Sequence, residues 1–274
     1  MTRTNFALLG CVLALGLAAG CSAEADDGSD TTSPAVEPVD VKGCGTTSLY
    51  ENPVDPSVKG PWPVGVRTVT VAGLTVEVWY PATWGSAKDK PAKVYQLRDW
   101  LPEAEKGKIP DDSGAEQTCA CFADLPLDTK HGPYPAVVFI HGTAGFRTQS
   151  LKIMEHWASR GFIVVAADHP KIYLTDALQL IIGADQAGDA RSLFAALRAK
   201  DSALAFLGDS VDVTQLAITG HSAGGMATAK LGAEPGVRVA IPMAARGVDP
   251  AGPATSTLVF GGEEDASVKF EAQE

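Results

Sequence analysis

The sequence predicts one α/β domain, a mostly parallel sheet with helices on both faces, and three observations carry that expectation. The continuous apolar run Ala136 to Ile140 sits between Pro135 and His141-Gly142, the pattern of a strand buried on both faces. From residue 136 onward such runs alternate with helical stretches, as a parallel sheet requires. A third run, Gln215 to Thr219, stops at Gly220-His221-Ser222-Ala223-Gly224-Gly225, where a small-residue helix begins.

In chain order, strands are expected near 66–71, 74–80, 136–140, 162–167, 214–219, 237–243 and 256–260, and helices near 149–160, 185–207 and 223–233. The first two strands flank Ala72-Gly73 and read as a hairpin. Gly161 and Gly208 fall where helix C-caps belong. The run Ser256 to Phe260 reads as one more buried strand, closed by Gly261-Gly262. Residues 82–132 form a connection too long for a simple loop of a compact domain, and Val94 to Leu97, Trp100-Leu101 and Cys119-Ala120-Cys121 indicate that it is partly ordered.

The Gly-x-Ser-x-Gly between a strand and a helix is a turn so tight that its flanking positions must lack side chains, which pushes the serine Oγ out at the carboxyl edge of the sheet. Ser222 is therefore the candidate nucleophile. The bland alternative, an ordinary serine in a glycine-rich turn, does not account for the strand and helix on either side. After the 136–140 strand, a small-residue loop leaves the Thr143 N–H to meet a developing oxyanion, and the residue after the nucleophile, Ala223, supplies a second N–H. His141 reads as a structural residue that holds this loop.

An acid belongs at the end of a strand beyond the nucleophile strand, and Asp265 fits that place; Asp249 is its rival, while Glu263 and Glu264 read as solvated turn residues. The base is the gap. The five histidines are His131, His141, His156, His169 and His221, and none follows Asp265. The catalytic His is therefore expected outside this chain, with the last strand and helix of the fold missing at the C-terminal end.

These pieces resemble the α/β-hydrolase-fold serine esterases, in the branch of platelet-activating-factor acetylhydrolases, dienelactone hydrolases and polyester hydrolases. The resemblance rests on His141 to Ser150, on Trp157 to His169, on the Gly220 to Gly225 turn and on the 64–81 hairpin. It implies Ser222 as nucleophile and Thr143 and Ala223 as oxyanion donors. In the acetylhydrolases the acid stands after the sixth strand, where this chain has Ala244-Ala245. That departure favours the dienelactone-like position, Asp265. The function expected is carboxylic ester hydrolysis through an acyl-enzyme on Ser222, on a small-molecule, lipid or polyester ester, with no cofactor; a non-catalytic surface binding module on the same fold is the alternative.

Met1 to Gly20 has one early cation, Arg3, an apolar run too short to span a bilayer, and small residues up to Cys21, which together read as a signal peptide. Leu17 to Cys21 resembles a bacterial lipobox. That resemblance implies a diacylglyceryl group on the Cys21 thiol and an exported lipoprotein held at the outer membrane or cell surface; an ordinary cleaved signal is the alternative. Ser22 to Val41 carry six acids and no base among Ser, Thr, Pro and Gly, the composition of a disordered, extended tether, which is read over 21–42. The folded body is then 43–274. The chain has net charge −11; without Arg3 and the six acids of 22–41, −6 is left from Lys42 onward, which argues against nucleic acid and anionic lipid as partners. Cys44, Cys119 and Cys121 allow one disulfide with a thiol left over in an exported body. With no His or second Cys pair nearby, Cys-x-Cys is not read as a metal site, and no metal is expected.

Overall fold

A computed structural model describes residues 41–42, 48–49, 55–110, 113–248 and 256–269, all within one compact unit, Val36–Glu274. The signal segment 1–20, Cys21, the tether as far as residue 40, Cys44 and Asp249 lie outside the described residues. Val41–Lys42 (β1) pairs antiparallel with Ser48–Leu49 (β2). The last two tether residues are thus strand rather than disordered, at the point where the acids end and a β-branched residue stands.

β3 (Val64–Val71) and β4 (Leu74–Pro81) form the expected hairpin. Its two turn residues, Ala72 and Gly73, both have positive φ, 50° and 81°, which matches the twist of the flanking strands. Within the insertion, β5 (Val94–Gln96) pairs with β6 (Glu116–Thr118), and β7 (Phe122–Ala123) joins the edge of the main sheet beside β3. The remaining strands are β8 (Tyr134–Ile140), β9 (Ile163–Ala167), β10 (Val211–His221), β11 (Val237–Met243) and β12 (Ser256–Thr257). The eight-stranded order is β12-β11-β10-β8-β9-β4-β3-β7. From β9 through β8, β10 and β11 to β12 every pairing is parallel, while β4 runs antiparallel to both β9 and β3.

The period of two along each strand divides the core. Val138 and Ile140 pack with Val165, Phe194 and Ile218 on one face, and Val137 and Phe139 with Val164, Met154 and Ala158 on the other. The first face is covered by α4 (Gln186–Ala199) and α5 (Ala223–Thr228), the second by α2 (Leu151–Ser159). The insertion adds Tyr95, Trp100, Cys119 and Cys121 to the second face. It also holds a single helical turn, α1 (Glu103–Lys106), and the short α3 (Leu174–Leu178) follows β9. Cys119 and Cys121, both fully buried, are joined as a disulfide.

Three expectations are corrected. The helix read over 185–207 ends at Ala199, because Lys200 takes a left-handed conformation, φ 51°, and a 3₁₀ turn over Ser202–Leu207 follows. The helix read over 223–233 ends at Thr228. The strand read over 256–260 pairs with β11 at Ser256, Thr257 and a bridge from Met243 to Phe260, but it is not buried. Leu258, Val259 and Phe260 are 51%, 37% and 53% exposed, since β12 is the sheet's edge among the described residues. No described helix is long and apolar enough to cross a membrane.

Candidate active site

β10 ends at His221 and α5 begins at Ala223, so Ser222 must reverse the chain in one residue. It does so with φ 54° and ψ −118°, a sparsely populated conformation for a residue with a side chain, worth about 1–3 kcal/mol of strain. The surroundings hold it there. Its N–H donates to Met243 O at 2.9 Å and its carbonyl accepts from Met226 N at 2.9 Å. Ser222 Oγ caps nothing in α5 and has no hydrogen-bond partner among the described residues. The flanking glycines are required by contact. A Cβ on Gly220 would lie 2.4 Å from Gly224 O, one on Gly224 2.1 Å from Ile140 O, and one on Gly225 2.6 Å from the Ala245 Cβ.

The loop after β8 is set against this turn. His141 is fully buried; its Nε2 accepts from His169 N at 3.0 Å, so its proton sits on Nδ1 and is donated to Gly142 O at 2.8 Å. Gly145 N donates to the same carbonyl at 3.0 Å. In a trans peptide the next N–H points opposite the carbonyl, so these two bonds turn the Thr143 N–H away from the His141 ring. Among the described residues, neither the Thr143 N–H nor the Ala223 N–H has a hydrogen-bond acceptor. Burial, and then the neighbouring His169, push His141 down from 6.5 to about 4, which keeps it a neutral clamp.

Asp265 follows the Gly261-Gly262 turn beyond β12. Its Oδ1 accepts from Val268 N at 3.0 Å and Ser267 N at 2.8 Å. These bonds, the one from Val268 first, hold the carboxyl below its usual pKa. The histidines are all engaged elsewhere. His131 bonds Asp128 at 2.6 Å ahead of the amino end of β8, the edge opposite Ser222. His156 accepts from Arg160 on α2, and His169 is buried with Nδ1 at 3.0 Å from Asp189. His221 Nδ1 meets Gln149 Nε2 at 3.2 Å. The structure therefore sets the loop that carries Thr143 against the turn of Ser222 and Ala223, while the bonds of Asp265 stay within its own turn. It assigns no described imidazole to the serine.

Several residues beside the site had no motif to announce them. Gln149, Gln186 and Asp189 hold the loop after β8 and the end of β9 through polar side chains that look ordinary in sequence. Arg147 bonds Glu77 at 3.1 Å and also Asp168, which accepts from Trp100 Nε1 at 3.0 Å; Tyr95 OH donates to Glu77 at 2.8 Å. Glu77 did leave a signal: an acid between Val76 and Val78 in a buried strand needs a partner. Beside this network opens a cavity of about 610 Å³ lined by Tyr95, Trp100, Arg147, Asp168, Tyr173 and Gln179, among others. It lies beside the loop after β8 rather than at Ser222, and the segment after β9 supplies Tyr173, Thr175 and Gln179.

Two family models match the sequence, each over a little under half of it. Chlorophyllase matches residues 123–257, and platelet-activating factor acetylhydrolase, isoform II, matches residues 50–172. No curated protein matches it. Among solved structures, a ferulic acid esterase from Streptomyces cinnamoneus superposes with a TM-score of 0.48 at 20% identity, over 76% of this chain and 67% of that one. The sheet order, the antiparallel second strand and the β10–α5 turn are those of the α/β-hydrolase fold.

Two outcomes follow from this geometry. Gly224→Ala is expected to destabilise the fold by more than about 3 kcal/mol in urea unfolding, because its Cβ meets two backbone carbonyls that cannot both retreat. Gly107→Ala, whose nearest neighbour would be 3.7 Å away, is the tolerated control. The second concerns pH. Above 6.5 His141 is neutral folded or unfolded; as pH falls from 6.5 to about 4 only the unfolded chain takes up its proton. Stability is therefore lost across that window, by up to about 3 kcal/mol for this one group. His141→Asn should flatten that part of the profile, and parallel profiles for the two proteins would refute a neutral His141.

Proposed function

We propose that this chain, an esterase on the α/β-hydrolase fold, hydrolyses carboxylic esters through an acyl-enzyme on Ser222, and that it works outside the cytoplasm from a lipid anchor on Cys21. One observation supports the chemistry most directly: a strained serine with an unengaged Oγ lies against the loop after β8, and the N–H groups of Thr143 in that loop and of Ala223 next to the serine are unengaged.

In this reading the ester carbonyl oxygen sits between the two N–H groups and gains their hydrogen bonds as it takes on charge. Ser222 Oγ attacks the carbonyl carbon while its proton passes to an imidazole oriented by Asp265, one other than the five of residues 1–274. The tetrahedral intermediate expels the alcohol, which leaves with that proton. Water then repeats the sequence on the acyl-serine, the same imidazole taking its proton and returning it to Ser222 as the acid departs. No step asks for a metal or cofactor. The second reading, a binding module on the same fold, is favoured by the engagement of all five histidines elsewhere.

Added imidazole separates the two. Residues 1–274 should hydrolyse a short p-nitrophenyl ester slowly, and imidazole should raise the Ser222-dependent part, wild type minus Ser222→Ala, by about tenfold or more. Ser222→Ala should keep the wild-type unfolding midpoint. Fast Ser222-dependent turnover without imidazole would return the base to one of the five histidines. No Ser222-dependent rate in either condition, with no labelling by a fluorophosphonate, would favour the binding module.

The anchor has its own test. Cys21→Ser removes the thiol that would carry the acyl chains, so the protein should pass from the membrane to the soluble or unprocessed fraction and lose metabolic palmitate label. Unlabelled wild type in the soluble fraction would make residues 1–20 an ordinary signal peptide.

A further inference from the structure

We propose that Gln149 is a positioning residue that locks the oxyanion loop to the nucleophile turn, an inference that rests on the reading of Ser222 as nucleophile. The amide is used at both ends. Its Oε1 accepts from the Gly142 N–H at 3.0 Å, and its Nε2 lies 3.2 Å from His221 Nδ1. A primary amide is the uncharged side chain that can accept at one end and donate at the other.

The two elements it joins already touch. A Cβ on Gly142 would stand 3.1 Å from both Nδ1 and the carbonyl oxygen of His221 and 3.2 Å from the Ser222 Cβ. Close packing alone does not stop the loop from sliding along the turn; a bond from each to one amide does. The amide is itself fixed, since Gln149 N donates to Phe146 O at 2.9 Å just ahead of α2. Gly145 makes room for it: a Cβ there would fall 2.4 Å from Gln149 Oε1. Gly142 is thereby held in both of its peptide units, the N–H by Gln149 and the carbonyl by His141 and Gly145. That leaves the Thr143 N–H one orientation relative to Ser222.

The arrangement requires a particular tautomer. For Gln149 Nε2 to donate, His221 Nδ1 must be unprotonated and Nε2 must carry the proton. Gln149→Glu keeps an acceptor for Gly142 but offers His221 only an acceptor, so it should move that proton to Nδ1. Gln149→Met keeps the length and loses both bonds.

Three readouts on the 274-residue chain decide the matter: long-range ¹H–¹⁵N spectra of ¹⁵N-histidine protein for the His221 tautomer, hydrogen exchange at Gly142, and the imidazole-supported, Ser222-dependent rate. Wild type should show the Nε2–H tautomer. Gln149→Glu should show Nδ1–H with Gly142 still protected. Gln149→Met should lose Gly142 protection at least tenfold and the rate at least tenfold, with KM little changed. An Nδ1–H tautomer in wild type, or wild-type protection and rate in Gln149→Met, would overturn the proposal. If Gln149→Met does not fold, the tautomer and rate of Gln149→Glu decide instead, and a wild-type tautomer there counts against it. Absence of a Ser222-dependent rate in wild type would sink the nucleophile reading alone; the tautomer and exchange readouts would still settle whether Gln149 joins loop to turn.

Discussion

The backbone of Gly224 lies so close to the carbonyl oxygens of Ile140 and His141 that no side chain fits between them. Through that contact α5 leaves the sheet over the end of β8 rather than beside it, and the loop after β8 comes to rest on the loop after β10. Ser222 then has to turn in one residue, and its conformation stores strain that the bonds to Met243 and Met226 hold in place. The unengaged amides, the position of the Gly142 peptide and the reach of Gln149 all follow from two backbones meeting where one Cβ would part them.

A second constraint lies on the other face of the sheet. Glu77, Arg147 and Asp168 are largely buried, and each compensates the others. Such a group contributes little net stability over apolar packing, but it tolerates no missing member, because a lone buried charge costs several kcal/mol. Arg147 sits two residues before Gln149, and Glu77 is on β4, so the network fixes the start of α2 to the sheet. Trp100 and Tyr95 extend it into the insertion. Phe146 stacks on Trp100 with ring centroids 4.5 Å apart, which brings the insertion against the loop after β8.

What the sequence made legible was what local chemistry determines. Residues 136–140 read as a strand because a parallel strand covered on both faces is apolar throughout, and the Gly220 to Gly225 turn read clearly because backbone contact leaves glycine no substitute. The reading failed where tertiary context decides. Leu258-Val259-Phe260 has the composition of a core strand, yet it stands at an edge. Residues 185–207 keep helical periodicity across Lys200, whose left-handed backbone breaks the helix without a glycine to mark it. Gln149 was invisible because a glutamine near the start of a helix looks solvated, and only the fold brings Gly142 and His221 to its two ends. The pairing of Cys119 with Cys121 stayed open for a related reason, since three cysteines do not name their own partners.

Between the two anchors of the loop after β8 runs a segment that the anchors do not need. His169 clamps His141 from one side, held by Asp189, and Gln186 donates to the His141 carbonyl from the other, so β9 and α4 secure the loop themselves. The backbone bonds from Ala144 to Ile172 and from Leu174 to Gly145 close the near end. Residues 178–184 beyond them are mostly exposed and include Leu180, Ile181 and Ile182. The molecule thus carries an exchangeable cassette: its length and side chains can drift, or be grafted from another chain, without disturbing the amides beside Ser222. Such a segment can vary while the contacts beneath it stay as they are.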